Sequence, residues 1–157
     1  MGIGIFRLFK VISLLCGFWL TFGLSSSVQA QTAPSLSPYQ GQWVYLDFWA
    51  SWCAPCKASF PFMNDLQRQL QNQNFTVVAV NLDEDLSAAK QFLEQTTAGF
   101  PVLYDPEGRL PTQFSVQAMP TSFLLNPQGK IVWQHQGFLP KDAAKIQHII
   151  QQKMQGA

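Results

Sequence analysis

The chain is poor in cysteine, histidine and charged side chains. Its 157 residues include three cysteines and two histidines, and charged residues make up 12% of the composition. Three cysteines cannot form the several bridges that hold small disulfide-rich secreted domains together. Ten basic residues are nearly balanced by nine acidic ones. Because no basic patch stands out, the sequence predicts no nucleic-acid partner.

The chain also lacks an apolar run of the roughly 20 residues that a membrane-spanning helix needs. Its most apolar stretch, residues 11–24, follows the basic residues Arg7 and Lys10 and precedes a small, polar segment that ends at Ala30. This order is typical of a secretory signal peptide. We therefore expect residues 1–30 to be a leader that is cleaved after Ala30, with an uncleaved signal anchor as the alternative.

Two further expectations concern the start of the chain. Cys16 is not expected to carry a lipid, because Leu15 stands where a lipid-attachment motif has a small residue. Residues 31–38 are rich in Ser, Thr and Pro, which is typical of a tether. One folded domain is expected over residues 39–157.

Without the leader, Cys53 and Cys56 are the only cysteines, and they form a Cys-x-x-Cys motif. Apolar residues 42–48 before it predict a buried strand, and the pattern over 53–71 predicts a helix. A cysteine in the first turn of a helix has its thiolate stabilised by free backbone N–H groups and the helix dipole. The second cysteine lies one turn further on, within disulfide reach. The motif therefore predicts a dithiol–disulfide redox centre.

Two other interpretations of the cysteine pair remain open at this point. One is an inert structural disulfide, although so short a loop would constrain the unfolded chain little. The other is half of a zinc site, which needs two more ligands. The mature chain offers only His135 and His148, in different predicted elements, so no metal is expected.

The remaining pattern predicts an α/β fold with a mixed central sheet and helices on both faces. Strands are predicted at 75–82, 102–104, 121–125 and 131–136, helices at 86–96 and 141–153, and a helical turn at 110–114. The early crossovers imply parallel neighbours, and the turn at 126–129 implies an antiparallel hairpin. The core positions expected in the last helix are Ala144, Ile146, Ile149 and Ile150.

Several motifs, in order, resemble those of the thioredoxin superfamily. The segment Asp47-Phe48-Trp49-Ala50-x-Trp52-Cys53-x-Pro55-Cys56-Lys57 resembles its active-site segment. Pro61, Met119-Pro120-Thr121 and Gly137 match the helix proline, the cis-proline loop and a groove glycine of that family. Residues 81–108 have no place in a minimal thioredoxin and resemble the extra helix and strand of the exported TlpA/ResA-type proteins. The resemblance covers residues 39–153.

This resemblance implies roles for the residues around the dithiol. Cys53 would be the nucleophile and the more exposed thiol, and Cys56 would resolve the mixed disulfide. Asp47 lies in an otherwise apolar strand, so burial should raise its pKa and fit it to accept the Cys56 proton. The alternative for Asp47 is a structural carboxylate bonded to backbone or to Lys57.

The substrate-binding surface implied by the resemblance consists of five residues. A cis Pro120 would expose the backbone of Met119 for strand-like pairing with an extended substrate. Trp52 would be an aromatic contact on this surface, whereas Trp49 would pack in the core. The full set is Trp52, Met119, Pro120, Thr121 and Gly137.

Two positions depart from the TlpA/ResA pattern. Ser59 stands where that subgroup usually has Glu, which puts the usual partner recognition in doubt. Asp47 stands where the subgroup often has Asn, which favours a proton-handling role. Ala54 and Pro55 place no histidine between the cysteines, so we expect a rather reducing, thioredoxin-like couple.

The resemblance implies an extracytoplasmic thiol–disulfide oxidoreductase that reduces protein disulfides, in a periplasm or an equivalent lumen. Its expected partners are protein disulfides, such as those of apocytochrome c, and a membrane thiol-electron donor. No cofactor besides the redox-active disulfide is expected. The alternatives are a thioredoxin-fold peroxidase and a non-catalytic binding module. A peroxidase needs Thr or Ser about three residues before its reactive cysteine, where this chain has Ala50.

Overall fold

The computed structural model describes residues 34–156. The expected leader over residues 1–30, Cys16 within it, and the first three residues of the expected tether lie outside the described residues. Of the tether, Leu36 packs against one of the core clusters, and a 3-10 turn spans Ser37–Tyr39.

Five strands form one mixed sheet in the order β3-β2-β1-β4-β5. The strands are β1 (Trp43–Trp49), β2 (Phe75–Asn81), β3 (Val102–Tyr104), β4 (Thr121–Leu125) and β5 (Ile131–Gln136). β1 pairs in parallel with β2, and β2 with β3, whereas β1–β4 and β4–β5 are antiparallel. This confirms the mixed sheet, in which parallel pairs follow helical crossovers and the final pair is a hairpin.

Four helices accompany the sheet: α1 (Ala54–Leu70), α2 (Leu86–Gln95), α3 (Arg109–Gln113) and α4 (Ala143–Gln155). Pro61 lies inside α1, at an exposed position. None of the helices within residues 34–156 has the length and apolar character needed to cross a membrane.

The sheet separates two apolar clusters, because successive side chains of a strand point to opposite faces. On one face Tyr45 and Trp49 pack with residues of α1, α2 and α4. On the other face Leu46 and Phe48 pack with Leu110 of α3. Every residue of β1, β2 and β4 is buried. These three strands are therefore the rigid centre of the fold, and the site is built at the end of β1.

One expected core position is wrong. Ala144 is exposed, whereas Ala143 packs against the larger cluster. The reason is helical spacing: Ala143, Ile146 and Ile150 lie three and four residues apart in α4 and share its inward face, and both isoleucines are buried. Ala144 lies two residues before Ile146 and therefore falls on another face.

Candidate active site

Cys53 and Cys56 form a disulfide at the N-terminus of α1, with their Cα atoms 5.2 Å apart. Cys53 is the N-cap of the helix, and its sulfur accepts a 3.3 Å hydrogen bond from the Cys56 N–H. Cys53 is 6% exposed and Cys56 is fully buried. The sulfur of Cys53 thus has the position in which backbone N–H groups favour a thiolate, and it is the one nearer to solvent.

Asp47 is a buried carboxylate on the sheet face that α1 covers. It shares this face of β1 with Tyr45 and Trp49, which pack in the same cluster as both cysteines. Burial raises the pKa of Asp47 to about 7, and a hydrogen bond from Ser122 opposes part of this rise. A group that titrates near neutral pH can both take up and release a proton under ordinary conditions.

The two oxygens of Asp47 have different surroundings. Oδ2 accepts a 2.7 Å hydrogen bond from the Ser122 hydroxyl, while Oδ1 has no partner among the residues that the structure describes. Neither backbone nor Lys57 holds the carboxylate, so its only described support is this hydroxyl from β4. An unpartnered buried oxygen is costly unless it has a role or a water to bind. Oδ1 is therefore the atom free to take a proton.

The loop before β4 contains the cis peptide bond between Met119 and Pro120, as the resemblance implied. Pro120 is buried and Met119 is half-buried against the cluster that contains both cysteines. The Gly137 N–H donates a 2.7 Å hydrogen bond to the Pro120 carbonyl, with Gly137 at φ +80°. Thr121 donates its hydroxyl to the Ala118 carbonyl at 2.7 Å. These two bonds attach the loop to the ends of β4 and β5.

The two tryptophans of the motif lie in opposite environments. Trp52 is 70% exposed, next to the disulfide in sequence. Trp49 is fully buried, where it packs edge-on against Phe60 and also contacts Phe92. Its indole Nε1 has no hydrogen-bond partner in the described part of the chain. The positions agree with a surface role for Trp52 and a core role for Trp49.

Sequence reasoning missed Asp83, which anchors the loop that leads into the cysteine motif. Its buried carboxylate accepts the Ser51 N–H at 2.9 Å and the Ser51 hydroxyl at 3.0 Å. The Asn81 amide donates to it at 2.7 Å. The signal was an Asn-x-Asp at the end of a buried strand, because such residues commonly satisfy nearby backbone donors.

Ser59 and His135 are two further polar residues that are at least partly buried. Ser59 is buried, and its hydroxyl donates to the Cys56 carbonyl at 2.7 Å, so it supports the first turn of α1. His135, on β5, is half-buried. Its ring stacks on Trp133 with a centroid distance of 5.5 Å and an interplanar angle of 3°.

A mixed sheet with a cysteine pair at the N-terminus of the helix after β1 is the arrangement of the thioredoxin fold. The Redoxin family profile matches residues 21–150. The chain belongs to this family and, within the thioredoxin superfamily, is a ResA-like protein.

Relatives named thiol-disulfide oxidoreductase ResA match part of the chain. That of Bacillus subtilis strain 168 is 38% identical over 97 residues, which are 62% of this chain and 54% of that protein. That of Oceanobacillus iheyensis is 37% identical over 112 residues, which are 71% of this chain and 58% of that protein. The chain thus spans little more than half the length of these relatives.

Solved structures match more completely. A protein of Chlorobium tepidum assigned as a thiol:disulfide interchange protein DsbE is 47% identical, with a TM-score of 0.74, over 76% of this chain and 84% of that one. The exposed lipoprotein thioredoxin Etrx1 of Streptococcus pneumoniae strain TIGR4 is 31% identical, with a TM-score of 0.64, over 77% of this chain and 89% of that one. These likenesses agree with the fold described above.

Proposed function

We propose that the protein is a thiol–disulfide oxidoreductase that reduces protein disulfides. The observation that carries this proposal is the Cys53–Cys56 disulfide at the start of α1, in which Cys56 is fully buried and Cys53 is slightly exposed to solvent. The family and the names of the ResA relatives support the same activity.

In the proposed reaction the reduced protein meets a substrate disulfide R–S–S–R′. The Cys53 thiolate attacks one sulfur, forms a mixed disulfide with R, and releases R′–S⁻, which takes a proton from water. Cys56 then loses its proton to Asp47 and attacks the sulfur of Cys53. This releases R–S⁻ and restores the Cys53–Cys56 disulfide. Two electrons pass from the dithiol to the substrate.

Trp52, Met119, Pro120, Thr121 and Gly137 are proposed to contact the substrate. Trp52 offers a large exposed aromatic surface beside the disulfide, and the loop at Met119 contacts the cluster that holds both sulfurs. An extended substrate chain that paired with this loop would gain backbone hydrogen bonds that do not depend on its sequence. Such binding suits an enzyme that acts on several protein disulfides.

The compartment and the electron donor belong to the proposal as well. We place the protein outside the cytoplasm, directed there by its expected leader, in a periplasm or an equivalent lumen. A reductant in an oxidising compartment needs a supply of electrons, which a membrane thiol transporter would provide. Disulfides of apocytochrome c are the substrate class favoured by the family resemblance. The disulfide is the proposed redox group, with no other cofactor.

Trapping tests the activity directly. A Cys56→Ser variant cannot resolve the mixed disulfide, so it should hold protein substrates on Cys53 until a reductant is added. The matched control is Cys53→Ser, in which the buried Cys56 should capture little. If Cys56→Ser captures no more than this control does, the proposed activity is wrong.

The direction of electron flow has its own test. With Ala54 and Pro55 between the cysteines, the reduction potential should lie near the reducing, thioredoxin-like end of the scale, about −270 mV. Equilibration with glutathione buffers measures it. A value close to −120 mV, as in strong oxidants, would contradict a reductase.

A further inference from the structure

Tyr45, Asp47 and Ser122 lie together on the sheet face that α1 covers. Asp47 is paired directly with Ser122 between β1 and β4, and Tyr45 lies two residues before Asp47 on β1. Residues two positions apart on a strand share a face, and so do directly paired residues. Ser122 is therefore the diagonal neighbour of Tyr45, at a separation that an aromatic side chain can span.

The side chains of these three residues form a buried chain of hydroxyl groups that ends at the carboxylate. Their exposed fractions are 2% for Tyr45, 1% for Asp47 and 3% for Ser122. The Ser122 hydroxyl donates to Asp47 Oδ2 at 2.7 Å, and the Tyr45 hydroxyl is hydrogen-bonded to the Ser122 side chain. A serine hydroxyl has one proton and two lone pairs. Because the Ser122 proton is directed at Asp47, Tyr45 is the donor in its bond with Ser122.

The Tyr45 ring is fixed by aromatic packing, and its hydroxyl keeps its proton. The ring packs edge-on against Phe62 of α1, with a centroid distance of 6.1 Å and an interplanar angle of 81°. Phe62 in turn packs against Phe138 at 5.5 Å. Burial and the nearby charge of Asp47 raise the pKa of Tyr45 above its ordinary value. Tyr45 therefore stays a proton donor to Ser122 over the whole range in which Asp47 titrates.

Resting on the proposed function, we propose that Tyr45 is a positioning residue for Asp47, because it directs the Ser122 hydroxyl to Asp47 Oδ2. A serine hydroxyl rotates freely and often donates to a nearby backbone carbonyl instead. The Tyr45 proton occupies the Ser122 oxygen and leaves Asp47 as the acceptor for the Ser122 proton. Successive hydrogen bonds also polarise one another, so the bond to the charged carboxylate is strengthened. Tyr45 thus favours the charged form of Asp47, which is the form that accepts the Cys56 proton.

The other elements around Asp47 bring no competing partner for this carboxylate. Its partner on β2 is Ala79, which cannot titrate. The charged side chains of α1 are all exposed, and the two cysteines do not titrate while they form the disulfide. On β5 His135 is paired with Ser122, but no hydrogen bond joins their side chains within residues 34–156. The residues that α4 packs against the cluster are apolar: Ala143, Ile146, Ile150 and Met154.

The titration of Asp47 in the oxidised protein, followed at its ¹³C-labelled carboxyl carbon, tests this role. Tyr45→Phe removes only the hydroxyl and keeps the ring that packs against Phe62. It should raise the titration midpoint by about 0.3 pH unit, because the bond from Ser122 to the charged carboxylate is weakened. The matched control is Tyr104→Phe, the same chemical change on β3, which β2 separates from β1. It should leave the midpoint where it is in the wild type.

A double variant shows whether Tyr45 acts through Ser122. In the Ser122→Ala background there is no hydroxyl for Tyr45 to direct, so adding Tyr45→Phe should move the midpoint no further. An equal rise in both backgrounds would overturn the positioning role, because the tyrosine hydroxyl would then act on Asp47 without Ser122. An unchanged midpoint in Tyr45→Phe alone would overturn it as well, and so would an equal rise in Tyr104→Phe.

Insulin reduction by the wild-type protein separates this inference from the proposed function. The titration needs no substrate, so its result does not depend on activity. A protein that fails to reduce insulin, while Tyr45→Phe raises the midpoint only when Ser122 is present, keeps the positioning role and loses the proposed function. A protein that reduces insulin, while Tyr45→Phe leaves the midpoint unchanged, keeps the function and loses the positioning role.

Discussion

The Ser122 hydroxyl donates a 2.7 Å hydrogen bond to Asp47 Oδ2 between the neighbouring strands β4 and β1, although the two residues are 75 positions apart in the chain. The other oxygen has no described partner, so a single hydrogen bond stabilises the charged form of this buried carboxylate. Burial therefore dominates, and it raises the pKa of Asp47 to about 7. The stability of the fold should depend on pH through this residue.

Asp47→Asn should remove that pH dependence. The folded pKa of about 7 exceeds the ordinary value of 3.8, so the folded state holds a proton that the unfolded chain loses. The contribution of Asp47 is therefore fully present below about pH 4 and is lost as the pH rises to about 7, by up to roughly 4 kcal/mol. Urea unfolding of the oxidised protein from pH 4 to 8 should show this fall, and Asp47→Asn should be the more stable protein at pH 8.

The control for this measurement is Asp65→Asn, which alters an exposed carboxylate paired with Arg68. Its free energy of unfolding should follow the wild-type pH profile. If Asp47→Asn also follows that profile, the assignment of the raised pKa to burial of Asp47 is wrong.

Ser122→Ala should raise the pKa of Asp47 further. The Ser122 hydrogen bond stabilises the charged form, and its loss leaves both carboxylate oxygens without a described donor. The carboxyl ¹³C titration of Asp47 in the oxidised protein measures the midpoint. Thr121→Ser is the control, since this residue lies on the opposite face of β4 and keeps its hydroxyl. A midpoint that stays or falls in Ser122→Ala would contradict the effect of this bond.

Trp52→Ala should impair the use of protein substrates without weakening the fold. Trp52 is 70% exposed, and substitutions at such positions usually change stability by less than about 0.5 kcal/mol. Loss of a large aromatic contact should raise KM for insulin, whereas the rate with oxidised glutathione, which needs little contact surface, should stay near that of the wild type. Similar losses with both substrates would argue against a substrate contact.

Trp49→Ala provides the contrasting variant. Trp49 is fully buried against Phe60 and Phe92, so its truncation should lower the free energy of unfolding by about 3–5 kcal/mol. Thermal unfolding of the two variants should therefore separate a surface role from a core role.

Asp83→Ala should loosen the loop before the disulfide. The variant leaves the Ser51 N–H and the Asn81 amide without their acceptor, at a cost of about 2–4 kcal/mol. Amide hydrogen exchange at residues 51–53 should accelerate by more than the global loss of stability explains. Glu84→Ala, at the exposed neighbouring position, should leave both quantities unchanged. Equal protection of the loop in both variants would show that Asp83 does not hold it.

Much of the fold follows from local patterns. The bounds of β3, β4 and β5 agree with the predicted 102–104, 121–125 and 131–136, because Pro- and Gly-containing turns flank short apolar runs. The start of the last helix was wrong, because the sequence does not reveal that Pro140 opens a 3-10 turn instead of the helix itself.

The residues of the site likewise fall into those that a local pattern predicts and those that depend on contacts between distant segments. Cys53, Cys56 and Asp47 could be predicted, since each belongs to one strand–helix segment with a recognisable pattern. Ser122 could not, because its hydrogen bond to Asp47 depends on the register of pairs between distant strands. Asp83 was missed for a related reason: its acceptor role appears only when the end of β2 lies beside Ser51.

The three-residue strand β3 has a consequence for self-association. It pairs only with Ala79, Val80 and Asn81 at the carboxyl end of β2. The whole of β2, Phe75–Asn81, is rich in β-branched residues and free of charge. Uncharged segments of this composition are the ones most prone to add onto copies of themselves. Where β3 does not reach, the Gln67 side chain of α1 accepts a 2.7 Å hydrogen bond from the Val77 N–H. A helix side chain thus occupies a backbone donor that an added strand would need for pairing at this part of the sheet.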